Sequence, residues 1–223
     1  FNMPRLADID GDGDLDLFIS VLYDPTVPQV LMMYENTGTQ IAPDYRLRHR
    51  DVLRTMDAGI QSYPSFTDIN GDGKKDFFLS NAQNPEGSIF YFENISTAQV
   101  SKYDLTDKRF MNISGELALA AEIGDLNGDG KTDLLLGNFN GTLSVFLNSG
   151  TVQNPVFSSS VQLADSAGQN IDIGIYAKPR LYDINTDGDL DLIIGGFNGR
   201  SRIYKNNGTA GQWSFVNAET QYN

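Results

Sequence analysis

The stretch Asp8-Ile9-Asp10-Gly11-Asp12-Gly13-Asp14-Leu15-Asp16 sets the reading of the whole chain. Five carboxylates fall within nine positions, and an apolar run follows at once. Two unit charges about 4 Å apart at an effective dielectric near 20 repel by roughly 4 kcal/mol. Either the stretch is unfolded or something neutralises it. Composition argues for folding: of 223 residues, 40% are hydrophobic and 11% aromatic, against 20% charged. Disordered segments are poor in aromatic and β-branched residues. The formal net charge of −13 argues against nucleic acid as a partner, because phosphate binding needs clustered Lys and Arg. The chain has no cysteine, hence no disulfide framework and no thiolate metal site. No apolar run approaches the roughly 20 residues of a membrane-spanning helix. The chain opens on Phe1-Asn2-Met3-Pro4, already strand-like, with no leader pattern; the expectation is a removed leader or a piece of a longer polypeptide.

The opening stretch returns three times. Its equivalents are Asp68-Ile69-Asn70-Gly71-Asp72-Gly73-Lys74-Lys75-Asp76, Asp125-Leu126-Asn127-Gly128-Asp129-Gly130-Lys131-Thr132-Asp133 and Asp183-Ile184-Asn185-Thr186-Asp187-Gly188-Asp189-Leu190-Asp191. The first Asp recurs every 57 to 60 residues, a repeat architecture rather than a coincidence of composition. The flanks recur too. Pro4, Pro64 and Pro179 stand four places before the first Asp, with Ala121 in the third copy. After each loop comes a short apolar run such as Phe77-Phe78-Leu79 or Leu134-Leu135-Leu136, then a polar connection. A second strand-like run follows and ends in an Asn-rich turn, as in Leu143-Ser144-Val145-Phe146-Leu147-Asn148-Ser149-Gly150. Asn and Gly there suit the positive φ of hairpin turns. A last, more variable strand precedes the next copy. Each repeat thus holds about four strands, with no helical periodicity of useful length. The expected fold is all-β, a β-propeller with four blades of four antiparallel strands, at about 1–58, 59–115, 116–173 and 174–223. The prolines fit an edge strand, where a missing N–H is tolerated.

Numbered from its first Asp, each loop carries Asp at position 1, Asp or Asn at 3, Asp at 5, Gly at 6 and Asp at 9. Alternate oxygen-bearing side chains on a tight turn converge on a point, and the glycine allows the reversal. A set of hard oxygen donors of this number suits calcium, with magnesium second because it demands a stricter octahedron. The candidate metal-binding residues are therefore Asp8, Asp10, Asp12, Asp14 and Asp16; Asp68, Asn70, Asp72, Lys74 and Asp76; Asp125, Asn127, Asp129, Lys131 and Asp133; and Asp183, Asn185, Asp187, Asp189 and Asp191. Asp14, Lys74, Lys131 and Asp189, at position 7, enter through the backbone carbonyl. An EF-hand is excluded: it needs Glu at position 12, where this chain has Ile19, Leu79, Leu136 and Ile194. Four bound calcium ions would bring the formal charge to about −5. The first loop, with Asp10 where the others have Asn, is expected to bind calcium at least as tightly as they do.

The pattern D-x-[DN]-x-D-G-x-x-D, followed by an apolar strand and an aromatic strand ending in Asn-x-Gly, resembles the FG-GAP and VCBS repeats of integrin α-subunit propellers and bacterial secreted proteins. The resemblance runs along nearly the whole chain. It implies calcium-loaded blades in which each loop joins the first two strands, and an extracellular or cell-surface location. The composition looks more like a bacterial secreted protein than an integrin. It also implies that four blades close a small ring or form part of a seven- or eight-bladed one. The expectation is part of a longer polypeptide.

Three function classes remain. A binding or adhesion module for a glycan or protein ligand would use the connections between second and third strands. Their candidate contacts are Tyr23, Asn138, Phe139, Asn140, Phe197, Asn198 and Arg200. A non-catalytic structural or assembly domain of a large surface protein is the second class. The third is the propeller of a calcium-dependent polysaccharide lyase. The chain has a single His, His49, among arginines, and no nucleophile elbow or phosphate loop, so catalysis within this chain is not expected.

Overall fold

The computed structural model describes residues 2–21, 31–49, 63–80, 89–97, 102–107, 109–110 and 118–218. Sixteen strands form four sheets, and no α-helix occurs among the described residues. The first sheet holds β1 (Asn2–Ala7), β2 (Asp16–Val21), β3 (Leu31–Asn36) and β4 (Tyr45–His49). The second holds β5 (Tyr63–Thr67), β6 (Asp76–Ser80), β7 (Ile89–Asn94) and β8 (Tyr103–Asp107). The third holds β9 (Ala118–Gly124), β10 (Asp133–Asn138), β11 (Leu143–Asn148) and β12 (Phe157–Gln162). The fourth holds β13 (Lys178–Tyr182), β14 (Asp191–Gly195), β15 (Ser201–Asn206) and β16 (Phe215–Asn217). Every sheet is an antiparallel meander in sequence order, so these are the four blades of a β-propeller.

The register repeats from blade to blade. Pro4 lies opposite Ile19, Pro64 opposite Leu79 and Pro179 opposite Ile194, with Ala121 opposite Leu136. All four sit on the first strand, an edge of its sheet, where proline can leave its outer side without a donor. The apolar partners opposite them are the position-12 residues of the loops, which places them inside strands and away from any ion. The second strand of each blade is interior to its sheet, and in β6 and β10 every residue is buried, so both faces are covered. That is why these strands read as continuous apolar runs rather than alternating ones.

The chain divides into two compact units, Phe1–Asp68 with Asp72–Gly115, and Ile69–Gly71 with Glu116–Asn223. Each is two blades on a shared core. In the first, Phe18, Met33, Phe77, Leu79 and Phe92 pack together, and Phe66 bridges Phe18 and Phe77 at ring-centre distances of 4.6 and 5.1 Å. In the second, Leu135, Val145 and Leu163 meet Leu192, Ile194 and Phe215. First strands within a unit are tied by arginines: Arg5 donates to the Pro64 carbonyl and lies over the Tyr63 ring, and Arg180 pairs with Glu122.

The Asn-Gly turns at the ends of the third strands work differently from the sequence expectation. Gly38, Gly150 and Gly208 do not have positive φ, and neither do the preceding Asn residues. Glycine is required there by close approach: a Cβ would stand 2.3 Å from Ala42 O, 2.3 Å from Asn154 O and 2.1 Å from Gln212 O respectively. The asparagine supplies a side-chain clamp. Asn148 Oδ1 accepts from Gly150 N and Val156 N at 2.9 and 3.0 Å. Asn36 and Asn206 do the same for Gly38 with Asp44 and for Gly208 with Ser214.

Candidate metal centres and an aromatic surface

Each Asp-rich loop joins the first and second strands of its blade. Its shape follows from the side chains accepting hydrogen bonds from their own backbone. The position-1 carboxylate takes the position-6 amide: Gly13 N to Asp8, Gly73 N to Asp68, Gly130 N to Asp125 and Gly188 N to Asp183, at 2.8–3.1 Å. These four glycines have φ between 81° and 96°, the left-handed conformation that only glycine adopts without cost. The position-5 carboxylate takes the position-7 amide in all four loops. Position 4 is also left-handed. It is glycine in three loops and Thr186, at φ 61°, in the fourth, where a β-branched residue is strained.

Position 9 does more than close the loop. Asp16, Asp76, Asp133 and Asp191 are each the first residue of a second strand and almost wholly buried. One oxygen of Asp133 accepts from Leu126 N at 3.1 Å inside the loop, and the other from Asn148 N at 2.9 Å at the end of β11. Asp16 and Asp191 repeat both bonds, to Ile9 and Asn36 and to Ile184 and Asn206. Asp76 accepts from Asn94 N at 2.9 Å. One buried carboxylate thus latches the loop, the second strand and the third strand together. The repeated Asp was legible in the sequence; its backbone partners, 15 to 20 residues further on, were not.

Burial, opposed by the amides of Asn36 and Ile9 and reinforced by Asp10 and Asp12, pushes the Asp16 carboxyl up to about 6. A carboxyl raised in the fold holds its proton more tightly than in the unfolded chain, where its value is about 4. The stability this gives is fully present below about pH 4 and lost as pH rises through about 6. With a chelator present, melts are expected to show a higher midpoint at about pH 5 than at about pH 7.5. Calcium should reverse that order, because it binds the ionised groups. A chelated sample that gains stability on alkalinisation over this range would contradict the assignment.

Among the described residues, the first loop gathers three carboxylates as a hard cation would need. Asp8, Asp10 and Asp12 each present an oxygen within 4.8 Å of the others. Calcium–oxygen distances of about 2.4 Å place two oxygens on opposite sides of one ion about 4.8 Å apart. Three carboxylates so spaced repel strongly without a cation between them. In the other loops position 3 is an asparagine, and the same positions lie on the same backbone frame.

The connections between second and third strands hold the other candidates. Tyr23 lies outside the described residues. Asn138 is buried and spent in its own turn, donating to Thr142 Oγ1 at 2.7 Å and accepting Thr142 N at 3.0 Å. Phe139 and Phe197 are brought together by Tyr176, a residue the sequence motifs did not single out. Its ring centre is 4.9 Å from that of Phe139 and 5.4 Å from that of Phe197. Tyr176 N donates to Phe139 O, Ala177 N to Asn138 O and Phe197 N to Ile175 O. The segment before β13 is therefore stitched to both connections. Tyr176 has φ 57°, a conformation costly for a bulky residue, held by these bonds. Phe197 is 73% exposed, Phe139 41% and Ile175 44%. Asn140, Asn198 and Arg200 are exposed beside them, and Asn198 Oδ1 accepts Arg200 N.

In a comparison with known families, residues 119–146 fit the model of the FG-GAP repeat. The match covers most of β9, the third Asp-rich loop, β10 and most of β11. A search of curated proteins finds no match.

Proposed function

We propose that the chain is a calcium-stabilised β-propeller that works as a binding module outside the cell or at its surface, its ligand docking on the Phe139–Tyr176–Phe197 surface. The aromatic cluster carries this reading. Exposed apolar groups gathered on one rigid patch mark recognition sites more often than scattered ones do. Here three rings converge, backbone bonds fix them, and one residue is held in a strained conformation to complete the set. Strain of this kind is kept where a site needs a preset geometry. Aromatic faces with amide and guanidinium donors at the rim, from Asn140, Asn198 and Arg200, suit a sugar ring or a peptide.

Calcium supplies the scaffold in this reading. Positions 1, 3, 5 and 9 of each loop, with the position-7 carbonyl, would hold one ion per blade. An extracellular setting suits this reading, because calcium sites with dissociation constants of about 10⁻⁴–10⁻³ M fill outside the cell and not in the cytosol. No helix among the described residues is long and apolar enough to cross a membrane.

A glycan array and a pull-down with the calcium-loaded chain test the proposal. Phe197→Ala is expected to weaken any captured ligand about tenfold or more, the loss typical of an aromatic anchor, while leaving the melting temperature nearly unchanged because the ring is exposed. Capture unaffected by Phe197→Ala and Tyr176→Phe would move the ligand elsewhere. No capture by either method would favour a structural or assembly role in a larger surface protein.

A further inference from the structure

Within each unit the two blades meet in one way. Counted from the first Asp of the loop, the position-11 residue of one blade shares a core with positions 10 and 12 of the next: Phe18 with Phe77 and Leu79, and Leu135 with Leu192 and Ile194. The junction of the third and fourth blades shows what else the joining blade supplies. Leu190 and Leu181 of the fourth blade lie over Gly124 at the end of β9; a Cβ there would stand 2.9 and 3.3 Å from their Cδ1 atoms. The turn after β15 reaches over the third Asp-rich loop, where Gly211 N donates to Asn127 O at 2.6 Å and Asn127 is buried.

In the first blade the counterparts of these joining residues are uncovered. Pro179, Leu192, Ile194 and Tyr204 are buried in the fourth blade; at the same register Pro4 is exposed, and Leu17, Ile19 and Tyr34 are only partly buried. Leu6 and Leu15, matching Leu181 and Leu190, are 53% and 48% exposed. Ile41, matching Gly211 at the tip of the turn, is 96% exposed. Strand pairing sets Leu6, Leu17, Tyr34 and Leu47 in one row across the sheet, on the face turned away from Phe18 and the second blade. A contiguous apolar face of this kind marks an interaction site. The fourth blade bears the matching half. On its face turned away from the third blade, Ile193 and Ile203 are partly exposed, where their counterparts Leu135 and Val145 are fully buried. Tyr182, at the place of Gly124, is 66% exposed, and Asn185, at the place of Asn127, is exposed.

We propose that this face of the first blade docks head-to-tail on the fourth blade of a second copy of the chain. One chain carries both halves of the junction, so a second copy presents the fitting surface, and the template is the junction already made between the third and fourth blades. In the contact, Leu6 and Leu15 cover Tyr182, and Leu17 and Ile19 meet Ile193 and Ile203. The Ile41 turn lies over the fourth Asp-rich loop as the Gly211 turn lies over the third. The driving force is the apolar area these residues remove from water. Two copies share two such junctions, and four blades from each make a closed ring of eight, within the range that propellers adopt. Closure uses both faces and leaves neither to recruit a third copy.

Sedimentation equilibrium of the chain over a range of concentrations tests this. The parent protein is expected to move from 24.6 kDa toward twice that mass as concentration rises. Leu6→Glu on the first blade and Tyr182→Glu on the fourth should each raise the dissociation constant of the dimer about tenfold or more, because each puts a charge into both junctions. Neither side chain is buried in the single chain, so circular dichroism should show both variants folded. Ile41→Asp, on an exposed turn, should weaken the dimer in the same direction and serves if Leu6→Glu unfolds. Mixing the Leu6→Glu and Tyr182→Glu proteins should restore a dimer through the one junction in which both faces are intact. A parent chain that stays at 24.6 kDa overturns the proposal and favours a further blade of a longer polypeptide as the occupant. A dimer that ignores both charges places the contact elsewhere. A dimer broken by Leu6→Glu and not by Tyr182→Glu means that first blades meet each other, and the head-to-tail order fails.

Discussion

Removing divalent cations should lower the melting temperature of this protein by roughly 10–20 °C. A ligand present at about ten times its dissociation constant stabilises the fold by roughly 1.4 kcal/mol per site. Four loops together give about 6 kcal/mol, a large part of the 5–15 kcal/mol that separates a typical domain from its unfolded state. For a chain of 223 residues, each kcal/mol moves the midpoint by roughly 2–4 °C. The physical origin is the carboxylate crowding in the loops. Asp8, Asp10 and Asp12 each present an oxygen within 4.8 Å of the others, and Asp14 is buried without a partner for Oδ1. Differential scanning calorimetry with chelator, then with calcium restored, measures the effect. A melt that does not move would remove the structural role of the ion, and recovery with magnesium as effective as with calcium would argue for a different cation.

The second large effect concerns the latch. Asp133→Ala should destabilise the chain by about 3–5 kcal/mol, and most of that loss should persist in chelator. The substitution strands two buried amides, Leu126 N and Asn148 N, each worth roughly 1–3 kcal/mol when left unsatisfied. It also frees the loop from the end of β11. Asp133→Asn should cost less, because its carbonyl oxygen can still accept Asn148 N. Urea unfolding of the three proteins, with and without calcium, separates the two roles of position 9. A loss that vanishes in chelator would mean that Asp133 acts through the ion alone, and the hydrogen-bonded latch would then carry little of the stability.

The sequence showed the repeat, and the reason is local. A tight turn whose side chains accept its own backbone amides needs Asp or Asn at alternate positions and glycine where φ is positive, as Gly13, Gly73, Gly130 and Gly188 show. An edge strand admits proline, and Pro4, Pro64 and Pro179 sit on such strands at one register. An interior strand covered on both faces must be apolar throughout, as β6 and β10 are. These constraints act within a few residues of each other, so spacing alone reveals them.

The Asn-Gly turns mark the boundary of that legibility. Their residue types pointed to a turn, but the usual reason for them, positive φ, was the wrong one. Gly150 is there because Asn154 O passes 2.3 Å from where its Cβ would be, and Asn148 because its side chain clamps the two strands. The conformational reason is a property of one residue; the steric one depends on a neighbour across the hairpin.

By itself, then, the sequence determined the all-β class, the blade repeat and the edge and interior strands, because each follows from backbone periodicity and short-range sterics. Only the tertiary structure decided which oxygens are already occupied. It turned the position-9 aspartates into latches between strands, set lysine ammonium groups against Asp72 and Asp129, and buried Asp14 Oδ1 without a partner. It also drew Tyr176 between Phe139 and Phe197, residues 37 and 21 positions away in the chain. Burial and hydrogen-bond satisfaction are properties of what surrounds an atom, and in a packed β-protein most of those surroundings come from distant parts of the chain.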